Sequence, residues 1–235
     1  MKVTLVKLGG GLIAPKDWEP ETPDVKTIKR LVAEIEAAGQ RVIVAVGSGN
    51  FGHAAVAKYG IAEESGVEKV RVIAKEIGAI VASEIKNSQL VVTHELPWNM
   101  AKILDGGKTP VIYGDVMRVK EIWSGERCLL EMIPELEEAG WKVERIVQVG
   151  REEGVWDRDK KILPKIDTGN WAEIRSGVGG SGGIDVTGGM RHKVEESLEI
   201  AKKYGIETWI ISGQAPGRVT EAVRGKETPG TKITY

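Results

Sequence analysis

Lys7 stands two positions ahead of Gly9, Gly10 and Gly11, with Leu8 between, and far along the chain Lys193 follows Asp185, Val186, Thr187, Gly188, Gly189 and Met190. Lysine supplies a compact cation on a flexible stem, and glycines let backbone N–H groups approach an anion with no Cβ in the way. Val3 to Leu8 forms an apolar run suited to a buried parallel strand. The first glycines therefore sit at a strand end. Gly188 and Gly189 precede an amphipathic stretch, whose N-terminal dipole also favours negative charge. Two anion cradles, each with a lysine, point to phosphoryl transfer rather than to phosphate holding alone.

The elements that must position these residues alternate between two periodicities. After Pro23, the residues Ile28, Leu31, Val32 and Ile35 take the i, i+3, i+4, i+7 spacing of one helix face, and Gly39 can end that helix. Arg41 to Val46 reads as the next strand, followed by a glycine turn and helical segments to about Ile85. Leu90 to Thr93 and Thr109 to Tyr113 read as further strands, Met117 to Trp123 as a hairpin, Glu126 to Ala139 as a helix and Arg145 to Val149 as a strand. Arg175 to Ile184 is glycine-rich and reads as a mobile loop. A helix over Gly189 to Tyr204, a strand over Thr208 to Ser212 and a helix after Pro216 complete the pattern. Strand and helix in alternation predict an αβα sandwich with a mostly parallel central sheet. No repeat and no long linker divides the 235 residues, so a single domain is expected.

Composition excludes several classes. A formal net charge of −1 argues against a broad nucleic-acid or anionic-membrane surface while permitting a local basic pocket. The single cysteine, Cys128, rules out an internal disulfide framework and a cysteine-rich zinc site, and favours a cytoplasmic, reducing compartment. No apolar run approaches the ~18 residues of a membrane span. Gly47, Gly49 and Gly52 match the GxGxxG dinucleotide pattern. The acidic residue that should close a second strand ~20 positions later is missing, because the region around Glu63, Glu64 and Glu68 reads as helix. The P-loop pattern GxxxxGK[ST] is also absent. Phosphate must be held by another architecture.

The order of motifs along nearly the whole chain resembles the amino acid kinase family, and within it the archaeal-type isopentenyl phosphate kinases. The matching residues are Lys7 with Gly9 to Gly11, Lys16, the turn from Gly47 to His53, Gly114 with Asp115, Ser124 with Gly125, and Gly154, Val155 and Asp157. They continue with Asp185 to Met190 and Lys193, then Gly213, and finally Gly230, Thr231 and Lys232. The resemblance implies ATP-dependent phosphorylation of isopentenyl phosphate to the diphosphate in isoprenoid biosynthesis. Residues of about 1–144 would bind the acceptor and about 145–235 the nucleotide, with ATP and Mg²⁺ as cofactors and a homodimer as the assembly. Lys7, Lys16 and Lys193 would stabilise the transferring phosphoryl group, with Asp185 orienting the lysines. Ser48, Gly49, His53 and Gly154 would hold the substrate. Lys7, Gly9, Gly10, Gly11, Gly49, Asp157 and Gly213 would hold ATP.

Such chemistry needs little general-base help, because a phosphate monoester is already ionised at neutral pH. The barrier is electrostatic repulsion between two anions, so fixed cations and N–H donors carry it. Three features depart from the family pattern. Glu126 follows Ser124 and Gly125 where an aspartate is usual, Gly150 to Gly154 reads GREEG in place of TDVDG, and Ser48 replaces a glycine. Arg151 thereby reverses a local charge. Two alternatives stay open: a related kinase acting on another small phosphate, phosphonate or carboxylate, or a non-catalytic nucleotide-binding member of the fold.

Overall fold

The computed structural model describes residues 1–178 and 189–235. The chain runs β1 (Lys2–Leu8), α1 (Gly10–Ile13), α2 (Val25–Ala37), β2 (Val42–Val46), α3 (Gly49–Tyr59), α4 (Glu64–Glu84), β3 (Ser88–Leu90), α5 (Met100–Asp105) and β4 (Thr109–Tyr113). It continues through β5 (Asp115–Arg118), β6 (Glu121–Trp123), α6 (Gly125–Glu138), β7 (Lys142–Gly150), β8 (Lys165–Ile166) and α7 (Trp171–Ile174), with a short 3₁₀ turn over Arg175–Gly177. The last elements are α8 (Gly189–Tyr204), β9 (Thr208–Ser212), α9 (Arg218–Val223) and β10 (Thr231–Ile233). The expected loop from Arg175 to Ile184 lies largely outside the described residues.

Eight strands form one sheet in the order β3-β4-β2-β1-β7-β9-β10-β8, and β5 and β6 form a separate hairpin. Every pairing in the large sheet is parallel except β10 with β9. Helices cover both faces, so the inner strands are apolar on both sides: Val42–Val46 is buried at all five positions. On one face β1, β2, β7 and β9 pack through Val6, Leu8, Val44, Val147 and Ile211 against Leu31 of α2, Ile77 of α4 and Val219 of α9. The other face carries Leu5, Ile43 and Ile146 against Leu104 of α5 and Leu129 and Ile133 of α6. No helix is long and apolar enough to cross a membrane among the described residues.

Most expected elements appear within a residue or two of their predicted bounds, and the differences have local causes. The third strand spans Ser88–Leu90 rather than Leu90 to Thr93, because it pairs with β4 only from Ser88↔Thr109 to Leu90↔Val111. Beyond it Thr93 turns its hydroxyl to the Tyr113 carbonyl at 2.5 Å instead of extending the ladder. Strands β8 and β10, only two and three residues long, are too short to show a periodicity.

Parallel strands put their C-terminal ends at one edge, where ligands of open α/β sheets collect. In register, Leu8 lies beside Val46 and Val149, so the turns after β1, β2 and β7 meet there. Their approach is close enough to demand glycine. A Cβ on Gly10 would run into the Gly49 backbone nitrogen, and Gly49 itself has φ +52°.

Candidate active site

The turns after β1, β2 and β7, together with the starts of α3, α6 and α8, enclose a cavity of about 270 Å³. Lys7, Gly9, Gly10, Gly11, Lys16, Ser48, Gly49, His53 and Lys193 all line it. Residues from opposite ends of the chain are thus gathered at one place. Asp185 lies outside the described residues. Gly154, Asp157 and Gly213 are not among the lining residues. Gly154 packs under Thr231 and Ile162, and Gly213 under Leu12 and Val149. Asp157 closes its own turn by accepting from the Asp159 and Lys161 N–H groups, both at 2.8 Å.

Lys7, next to the end of β1, has its side chain almost wholly buried, and its Nζ donates to Glu126 Oε1 at 2.6 Å. Glu126 comes from the first turn of α6, which is capped by Ser124 Oγ accepting from the Arg127 N–H at 3.1 Å. Gly125 lets this turn lie against the lysine stem, whose Cγ and Cε pass 3.4 Å from where a Cβ would be. Burial alone would push the Glu126 carboxyl up, but Lys7 and Lys193 override it and pull the group down to about 2. The acid is therefore ionised at neutral pH and fixes the Lys7 ammonium. Among the described residues, Glu126 is the carboxylate that orients Lys7, a task the sequence resemblance gave to Asp185.

Asn50 is a second residue that sequence reasoning passed over. Its side-chain nitrogen lies 2.9, 3.1 and 2.9 Å from the carbonyls of Pro15, Glu19 and Thr22, and its backbone N–H donates to the Ala14 carbonyl at 2.9 Å. One amide on α3 therefore pins the loop that carries Lys16 over the cavity.

On the far wall, α8 contributes Gly189, His192 and Lys193. His192 Nε2 lies 3.2 Å from Oε1 of Glu196, one turn further on. Burial and the nearby Glu126 carboxylate push the Glu196 carboxyl up to about 7. Gln148, beside Lys7 in the sheet, donates from Nε2 to Ser197 Oγ at 3.1 Å and holds α8 against β7. Arg151 and Glu152 also line the cavity, so the altered GREEG segment borders it directly. Among the described lining residues the lysines and arginine are Lys7, Lys16, Arg151 and Lys193 and the carboxylates are Glu126 and Glu152, with Glu126 engaged by Lys7 and Arg151 also near Asp17 at 3.4 Å. Such a cavity suits a multiply charged anion.

The amino acid kinase family model matches residues 2–212. The chain belongs to the amino acid kinase family. Within it, the chain is 28% identical over 274 residues to the isopentenyl phosphate kinase of Methanothermobacter thermautotrophicus, covering 98% of both sequences. It is 29% identical over 259 residues to that of Haloferax volcanii, covering 96% of this chain and 100% of the relative. An isopentenyl phosphate kinase crystal structure superposes with a TM-score of 0.79 at 23% identity, over 99% of this chain and 100% of that one. This amino acid kinase thus has the expected sandwich with a mostly parallel sheet.

Proposed function

We propose that this amino acid kinase transfers the γ-phosphoryl group of ATP to isopentenyl phosphate, giving the diphosphate. The reading is carried by one observation: His53, Ser48 and Gly49 open on the same cavity as Gly9 to Gly11, Lys7 and Lys193. Two phosphate sites in one basic chamber suit a reaction between two anions. The full-length likeness to isopentenyl phosphate kinases supports that acceptor.

In this mechanism the N–H groups at the start of α3 and the His53 side chain hold the acceptor phosphate, since a helix N-terminus favours anions. Backbone N–H groups of Gly10 and Gly11 receive the transferring phosphoryl group, while the Gly9 N–H donates to the Val149 carbonyl at 2.8 Å and anchors the turn. Lys7, fixed by Glu126, and Lys193 neutralise charge on its oxygens, with Lys16 closing from the loop above. Because Lys7 is already desolvated and oriented, little reorganisation is needed as the bond to the leaving ADP oxygen breaks. Asp185 is the proposed further orienting group for the lysines. Gly154, Asp157 and Gly213 are proposed contacts farther along the substrates.

Magnesium takes oxygen ligands, keeps several waters and commonly rides on nucleotide phosphates. The described residues fit that role through Glu152, the wall carboxylate not engaged by Lys7. The ion would be held by ATP oxygens with Glu152 as the protein oxygen, adding charge neutralisation. We also place the enzyme in the cytoplasm, where the buried free thiol of Cys128 would stay reduced.

The test is steady-state kinetics with isopentenyl phosphate and ATP for wild type and His53→Ala. The expected loss is roughly 1–3 kcal/mol in kcat/KM for the acceptor, the range for a hydrogen bond to a charged group, with the ATP KM nearly unchanged. Equal losses toward both substrates would make His53 structural. Absence of wild-type turnover on isopentenyl phosphate would remove it as the acceptor.

A further inference from the structure

His192 and Glu196 are unused by the mechanism above, yet they sit in its wall. His192 lines the cavity next to Lys193, with its side chain about half exposed. Glu196 lies behind it, 8% exposed, and its second oxygen, Oε2, is buried with no hydrogen-bond partner. A carboxyl group placed this way lacks the full set of donors that an ionised form needs. The charged groups facing it include Glu126 and Arg127 from α6, Lys7 from β1 and Glu199 from its own helix. Lys193 and Glu195 flank the pair on α8, the latter bridged to Arg175 and Arg191, and Arg151 and Glu152 border the cavity opposite. Gln148 and Ser197, the polar neighbours on β7 and α8, are bonded to each other.

The geometry fixes what the imidazole can do. Its Nε2 is the nitrogen turned to Glu196, which leaves Nδ1 as the remaining ring position. In the neutral ring with Nε2 protonated, Nδ1 is an acceptor and meets phosphate oxygens as lone pair against lone pair. Only the doubly protonated ring donates to both sides. Resting on the kinase reading, we infer that His192, oriented by Glu196, is a further cationic contact, beside the lysines, for the phosphoryl oxygens of the nucleotide, and that this pair takes up a proton when the nucleotide binds. Burial and the Glu126 charge keep the Glu196 carboxyl near half-protonated at neutral pH, so the pair has a proton site close at hand.

The experiment is titration calorimetry of the full-length protein with MgATP at pH 7.5, in buffers of differing ionisation enthalpy, without acceptor. Wild type should take up a measurable fraction of a proton on binding. His192→Gln should abolish that fraction and weaken ATP binding by about 10-fold, the scale of one charge-assisted hydrogen bond. Glu196→Gln, which keeps the side-chain shape, should lower the proton uptake with a smaller change in affinity. Proton changes on ATP itself are common to all three proteins and cancel in the comparison. Wild-type affinity and uptake in His192→Gln would overturn the inference, as would unchanged uptake in both variants. ATP binding with uptake, but no turnover of isopentenyl phosphate, would refute the acceptor and leave the His192 role standing. No ATP binding by wild type would overturn both.

Discussion

At the scale of single residues, the two cavity lysines that look alike in sequence differ in how they are held. Lys7 is buried in a 2.6 Å pair with Glu126, whereas Lys193 acts on that carboxylate through its field and stands at the more open wall of α8. Lys7→Ala and Lys193→Ala should each lower kcat by about 10²-fold or more, as expected when a preorganised electrostatic donor is lost. Their stabilities should separate. Removing Lys7 strands a buried carboxylate, which costs on the order of 3–5 kcal/mol, while Lys193→Ala, at a half-buried position, should cost less. Urea unfolding reads this difference, and equal midpoints would contradict the assignment of Glu126 to Lys7. The lysines and His53 were legible because they stand beside glycines that have few other uses. Glu126 and Asn50 were not, since a carboxylate in a first helical turn and an amide in a glycine turn have ordinary roles as well. Their partners, Lys7 and the 15–22 loop, are 119 and about 30 residues away in sequence.

Helix α8 shows the same contrast between elements and the chemistry they carry. Its extent, Gly189–Tyr204, was readable from apolar periodicity, as were β4 and β9 from their β-branched runs. Its buried carboxyl was not, because Glu196 becomes anomalous only when the fold buries it and α6 brings Glu126 near it. That shift makes a prediction with a definite sign. A carboxyl raised to about 7 from its ordinary 4.5 contributes stability below pH 4.5 and loses it as pH rises through 7. Glu196→Gln does not titrate, so its stability relative to wild type should rise by about 1–3 kcal/mol between pH 5 and pH 8.5. Denaturant midpoints across that range provide the measurement. Parallel pH curves for the two proteins would mean that Glu196 titrates normally.

For the molecule as a whole, the question is whether the acceptor and nucleotide parts, divided near residue 144 on sequence grounds, can move or melt apart. The sheet argues against it. Strand β1 lies before that division and β7 runs across it, and the two pair over seven positions, from Lys2↔Lys142 to Leu8↔Val149. Both cores cross it as well: Ile146, Ile200 and Ile206 pack with Trp98, Trp141 and Leu129 on one face, and Trp209 and Val219 share the other with Leu31 and Phe51. Separating the parts would expose both cores and break the central ladder, so the halves should unfold in one cooperative step. Thermal melts followed by far-UV circular dichroism and by tryptophan emission should therefore coincide. ATP at ~100 times its dissociation constant should stabilise the folded state by about 2.7 kcal/mol and raise Tm by on the order of 5–10 °C. Both signals should shift together. Two transitions, or an ATP shift confined to one signal, would show that the halves are separate folding units despite the shared sheet.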